Sequence, residues 1–289
     1  MLGGGGPVGV AWETGLAAGL DEGGVRLADA GLIVGTSAGS IVGAQLALGR
    51  SPQDMLTAQL DLNERASPRH RAVRQPFDAS ELMAHLGKLY TSDAPVEQVR
   101  AEVGAFALGA QTMTEEEWFA SFGSLDMLGA GAWPERDFRC TAIDVADGTF
   151  AVWDRNSGVE LRRAIASSCA VPGMVPPVTI LGRRYMDGGI GSTTNAELAA
   201  GYDNVLIVSV TGNLGRRAPE IVERVRARFE AELSAVRDAG SAVELIAPDD
   251  ASREAFGTNL LDGTRRREVA EAGRRQGRLE AARLRESWG

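Results

Sequence analysis

The sequence predicts an α/β protein built on a parallel sheet, and three observations carry that expectation. The first fifty residues read as loop, helix, strand, turn and helix. Two later apolar runs, at 204–210 and 242–248, flank a long helical stretch, and a Gly-rich elbow joins the run Leu32-Ile33-Val34 to an apolar-patterned segment. Strands that alternate with helices are what a parallel sheet covered on both faces requires.

Taken in order, the loop "GGGGPVG" (3–9) leads into a stretch where Val10, Leu16 and Leu20 permit a helix despite interrupting glycines. After a turn at Gly23-Gly24, the run to Val34 reads as a buried strand, and a helix follows the elbow to about Gly49. Residues 51–134 are helical and less regular: Leu82, Met83, Leu86 and Leu89 mark an amphipathic helix, and Trp118, Phe119, Phe122, Met127 and Leu128 form a large apolar stripe, read as core before lid. "FRCTAIDV" (138–145) and "TFAVW" (149–153) around Asp147-Gly148 predict a hairpin. A short helix over 160–170 ends at prolines, and "VTILGRRYMDGG" reads as strand, turn at Gly182, and a strand ending at Asp187. "NVLIVSV" (204–210) is a buried strand, 217–239 a helix, "AVELIAP" (242–248) a strand, and 263–286 an Arg-rich closing helix.

At 289 residues and 44% hydrophobic, the chain can bury a sizeable core, and a single domain over 1–289 is expected, with 51–134 as a helical insertion. A net charge of -9 argues against nucleic-acid binding, which needs clustered basic surface. Locally, residues 262–289 carry eight Arg against five acids, which leaves peripheral contact with an anionic membrane surface open. The two cysteines, Cys140 and Cys169, lack metal-ligand spacing and read as buried reduced thiols. No apolar run is long enough to span a membrane, and no secretory leader precedes the glycines, so a cytoplasmic protein is expected. Only Met1 and Leu2 precede the Gly-rich loop, so the strand from which such a loop hangs is nearly absent, and an earlier start to the chain stays open.

The elbow "GTSAG" (35–39) matches G-x-S-x-G. With 36 Gly and 17 Ser in the chain, roughly 0.3 accidental matches are expected, so context decides. A nucleophilic serine needs an exposed geometry, a base, and donors for the oxyanion. Gly35 and Gly39 flanking a strand-to-helix turn supply the first for Ser37, and the helix N-terminus at Ala38 presents amides and a positive dipole end. A Ser-His-Asp triad in the α/β-hydrolase order is disfavoured, because the only histidines are His70 and His85, both more simply read as surface or packing residues. A carboxylate must then take the proton directly. Asp187 is the best candidate, at a strand end where Gly188-Gly189 allow close approach, although D-G-G alone is equally a common turn. Gly4, Gly5 and Gly6 can expose consecutive amides as oxyanion donors, against the plainer reading of a flexible terminus.

Three motifs in order, G-x-G-x-x-G (Gly4, Gly6, Gly9), G-x-S-x-G (Gly35, Ser37, Gly39) and D-G-G (Asp187, Gly188, Gly189), resemble the patatin-like phospholipase family. "SSCAVPGMVPPV" before the acid and "TNAELAA" after it are also similar to that family. The resemblance covers about 1–50 and 135–210. It implies a three-layer α/β/α sandwich with a mostly parallel central sheet. It also implies a Ser-Asp acyl hydrolase of phospholipase, lysophospholipase or carboxylesterase type, working on acyl-ester lipids without metal or other cofactor. Ser37 would be the nucleophile, Asp187 the base, and Gly4, Gly5, Gly6 with Ala38 the oxyanion and substrate contacts. One departure is Val8, where the family usually has Lys or Arg; it favours a neutral ester or lysolipid. The short first strand is a second departure, and it predicts a weakly anchored loop.

Two other readings compete. A dinucleotide loop at Gly4-x-Gly6-x-x-Gly9 needs a preceding strand and an acid ending the next strand, and that strand ends in Gly35-Thr36-Ser37. The other is a catalytically weak, lipid-binding member of the same fold. Head-group preference and oligomeric state have no sequence signal.

Overall fold

The computed structural model describes residues 1–61, 79–121, 131–211 and 219–288. His70, Phe122, Met127 and Leu128 lie outside these residues. In chain order the elements are α1 (Gly6–Glu22), β1 (Ile33–Gly35), α2 (Ala38–Ala47), α3 (Pro52–Asp61), α4 (Ala79–Thr91), α5 (Val96–Gly109) and α6 (Glu115–Ser121). Next come β2 (Phe138–Asp144), β3 (Phe150–Trp153), α7 (Leu161–Ser168), β4 (Val178–Ile180), β5 (Arg183–Asp187) and β6 (Asn204–Val208). The chain closes with α8 (Pro219–Asp238), β7 (Ala242–Ile246), α9 (Asp250–Phe256) and α10 (Arg266–Trp288).

The sheet is mixed, with a parallel heart. β1 runs parallel to β2, and β6 parallel to β7. Leu2 joins the two pairs through parallel bridges to Gly35 and Val208. Its N–H donates to Val34 O at 2.8 Å, and its carbonyl accepts from Thr36 N at 3.0 Å. On the other side Met1 and Gly3 bond to β6, with Gly3 N donating to Val208 O at 3.0 Å. The expected weak anchoring of the Gly-rich loop is thus corrected: three residues make a rung bonded on both edges, so a full strand is not needed to hold the loop. β3 and β5 pair antiparallel with β2, and β4 with β5.

Helices cover both faces, as the alternation along the strands requires. In β6, Leu206 and Val208 enter the large core shared with α1, α2, α3, α7 and α10, while Val205 and Ile207 enter a separate core under α8. In β2, Cys140 and Ala142 face the large core, and Ile143 faces one formed with Leu82, Leu89, Val99 and Val103 of α4 and α5. The structure is therefore a three-layer α/β/α sandwich. Leu86 packs partly buried against the same core, while Met83 is exposed, so the amphipathic stripe of α4 is narrower than its sequence pattern.

The strand expected up to Val34 is reduced to β1, since Leu27–Asp29 forms a 3-10 turn. The glycines that interrupt α1 are explained by α10. A methyl at Gly15 or Gly19 would meet the Ala270 or Arg274 carbonyl at 2.0 or 2.1 Å, so the two backbones touch. Four arginines of α10 are paired locally: Arg274 and Arg278 with Glu22, Arg275 with Asp249, and Arg283 with Glu244 and Glu280. Among the described residues, no helix is long and apolar enough to cross a membrane.

Candidate active site

The site forms where two strands meet end to end. Cys140 of β2 pairs with Gly35 of β1 and also with Trp153 of β3; Ala142 pairs with Asp187 of β5 and also with Ala151 of β3. Because β3 occupies one edge of β2 across both positions, β1 and β5 must share the other edge. β1 ends opposite residue 140 and β5, arriving from the opposite direction, ends opposite residue 142. The residues just after Gly35 are thereby brought against Asp187.

Those residues form a tight elbow. A Cβ on Gly35 would lie 2.3 Å from the Gly39 carbonyl oxygen, so only glycine lets the helix start directly behind the strand. Ser37 sits at the apex with φ 52° and ψ -113°, a strained conformation for a residue with a Cβ, of the kind that persists where surrounding packing enforces it. Its Oγ donates a 2.7 Å hydrogen bond to Asp187 Oδ2. Asp187 Oδ1 accepts at 2.7 Å from Gly189 N. Both side chains are buried.

Burial raises the Asp187 carboxyl to about 6, against the opposing pull of the Ser37 hydroxyl and the Gly189 amide. The backbone around the serine is fixed on three sides. Ser37 N donates to Ser168 Oγ at 3.0 Å, while the Ser37 carbonyl accepts from Ser40 Oγ at 2.6 Å and Cys169 Sγ at 3.3 Å. Desolvation pushes the Cys169 thiol up, so it stays protonated and serves as a donor. His85 packs instead against Phe106, with ring centroids 5.0 Å apart.

The glycine loop lies against the serine, with an added Gly4 Cβ falling 3.5 Å from Ser37 Cβ. Its amides are not equivalent. Gly4 N is occupied by Thr193 O at 2.8 Å, and Gly9 N by Gly5 O at 2.7 Å. Among the described residues, the Gly5, Gly6 and Ala38 amides have no hydrogen-bond partner. Val8 is buried in the large core, its N–H donating to Leu260 O at 3.2 Å. Among the described residues, no cation acts on the Asp187 carboxyl.

The patatin-like phospholipase family profile matches residues 1–200. The chain belongs to the patatin-like phospholipase family. Among solved structures with which the patatin-like chain aligns are VipD from Legionella pneumophila and the type III effector protein ExoU. VipD is 14% identical, with a TM-score of 0.47, over 97% of this chain and 66% of VipD. ExoU is 19% identical, with a TM-score of 0.41, over 99% of this chain and 52% of ExoU. The chain thus spans just under two thirds and about half of the length of those two proteins. No protein with a curated description matches it.

The structure brings residues of all three patatin-like motifs together. Gly9 packs on Ala38, Gly39 lies under Leu2, and Gly188 lies against Thr141, where a methyl would meet Thr141 Oγ1 at 2.2 Å. Sequence reasoning missed the polar residues that hold these motifs in place: Thr36, Thr141, Ser168 and Asn195. Ser168 and Asn195 lie in the flanking stretches "SSCAVPGMVPPV" and "TNAELAA", and Thr141 interrupts the apolar run from Cys140 to Ile143.

Proposed function

We propose that this patatin-like chain hydrolyses carboxylic acyl esters through a Ser37-Asp187 dyad. The observation that carries the reading is the buried 2.7 Å hydrogen bond from Ser37 Oγ to Asp187 Oδ2, between residues 150 positions apart. In the first half-reaction Asp187 accepts the hydroxyl proton as Ser37 Oγ attacks the carbonyl carbon. The amides of Gly5, Gly6 and Ala38, which have no partner among the described residues, are the donors available to the developing oxyanion. Collapse expels the alcohol, which takes the proton from Asp187, and leaves acyl-Ser37. Water, deprotonated by the same carboxylate, then attacks the acyl carbon; the acid departs and Ser37 Oγ recovers its proton. A carboxylate raised to about 6 is a better proton acceptor than a free aspartate while still ionised near neutrality.

The substrate we propose is an ester that carries no charge beside the scissile bond. The support is Val8, apolar and buried at the loop, with no cation acting on Asp187 among the described residues. Turnover of a neutral p-nitrophenyl acyl ester by wild type, Ser37→Ala and Asp187→Asn tests the dyad. Loss of at least about 10³-fold in kcat for both variants is expected. Undiminished turnover by either variant would overturn the reading.

A further inference from the structure

Asn195 lies eight residues beyond the base and outside the three motifs, yet it is buried and reaches both halves of the site. Its Nδ2 donates to Thr36 Oγ1 at 2.9 Å, with Thr141 Oγ1 and the Gly188 carbonyl each at 3.3 Å. Thr36 immediately precedes Ser37, and Gly188 immediately follows Asp187. Thr141 sits between them on β2, its Oγ1 3.0 Å from that of Thr36. One amide therefore ties the residue before the nucleophile, the first residue after the base, and the shared edge they meet on.

The backbone at Asn195 is adapted to this task. It has φ 46° and ψ 45°, a left-handed conformation that asparagine tolerates better than most residues. The loop that carries it is clamped as well. Ser192 Oγ accepts from Asn195 N at 2.8 Å and donates to Glu232 Oε2 at 2.8 Å, and Arg100 Nε donates to Ile190 O at 3.1 Å. The same loop supplies Thr193 O to Gly4 N. Buried networks of this kind specify geometry because every missing donor leaves acceptors unsatisfied.

We infer that Asn195 is a positioning residue for the reaction, holding Ser37 and Asp187 in hydrogen-bond register through Thr36 and Gly188. The inference rests on the Ser37-Asp187 reading. Deleting the amide releases the two strand ends and lengthens the Ser37-Asp187 hydrogen bond, which favours the ionised carboxylate. The consequences are a lower kcat and an acid limb moved to higher pH, with little change in KM, since the amide touches no substrate.

The test compares Asn195→Gly, which keeps left-handed freedom while deleting the amide, with Thr36→Val and Thr36→Ser, which remove and retain the hydroxyl that it grips. Circular dichroism and cooperative melting report folding. For Asn195→Gly and Thr36→Val, kcat on the p-nitrophenyl ester is expected to fall at least about tenfold with KM within about twofold. The acid limb should move upward, and Thr36→Ser should stay near wild type. If Asn195→Gly does not fold, Thr36→Val against Thr36→Ser decides. Folded variants with the kcat and acid limb of wild type would overturn the inference. Ser37→Ala is run beside them: full activity there removes the dyad reading itself, whereas an inactive Ser37→Ala with wild-type-like Asn195→Gly removes only the role of Asn195.

Discussion

Gly39 lies directly beneath Leu2. Its N–H donates to Gly3 O at 3.0 Å, and a Cβ on it would fall 2.1 Å from the Leu2 carbonyl oxygen. This contact fastens the start of the helix behind Ser37 to the rung that carries the glycine loop, so Ser37 and the loop share one rigid support. Gly39→Ala should push them apart. The expected cost is about 2–3 kcal/mol of stability, with loss of most ester turnover. Gly87→Ala is the control. Among the described residues beyond its own helical turn, nothing lies within 4 Å of its added methyl on α4, and it should stabilise by about 0.5–1 kcal/mol. Chemical denaturation of the two variants checks both signs.

The pH dependence of kcat/KM should show an acid limb with a midpoint near 6, the value to which burial raises Asp187. Below it the carboxyl is protonated and cannot accept the Ser37 proton, so activity falls as pH is lowered. A limb near 4, the range of an ordinary aspartate, would contradict a desolvated base.

Asp187 should also lower stability at neutral pH. Its folded pKa is raised above its ordinary value of 3.8. The carboxyl therefore carries no penalty below about pH 4, where it is protonated folded and unfolded, and the full penalty above about pH 6. Asp187→Asn should accordingly be more stable than wild type at pH 8, by about 1–3 kcal/mol, and equal to it near pH 4. Melting temperatures at the two pH values test this; an Asn variant less stable at pH 8 would contradict it.

Both cysteines are buried and protonated, Cys169 as a donor to the Ser37 carbonyl. A thiol reagent such as DTNB should find no fast-reacting thiol in the native protein and two after denaturation. A thiol that reacts rapidly in the native state would show that the wall behind Ser37 is open.

Much of this was legible in the sequence. The elbow, the D-G-G strand end and the hairpin at Asp147-Gly148 each sit at a local break in pattern, and they are found where the residues predict. The exceptions share a cause. Leu2 bonds to two strands at once, but two residues are too short to show a period. α9 spans only Asp250–Phe256 and lacks a clear apolar repeat, although Asp249, capping it through Ser252 N, left a usable trace. The hold of Asn195 on Thr36 joins positions 159 residues apart, and no local window records it. The meeting of β1 and β5 on one edge of β2 is likewise a property of the sheet.

The most direct test of the dyad is intact-mass labelling of the folded protein with a fluorophosphonate probe, with Ser37→Ala and Asp187→Asn beside it. A single adduct is expected on wild type, none on Ser37→Ala, and a labelling rate at least about 10²-fold lower on Asp187→Asn. An adduct that persists on Ser37→Ala, or a folded wild type that takes none, would contradict the dyad.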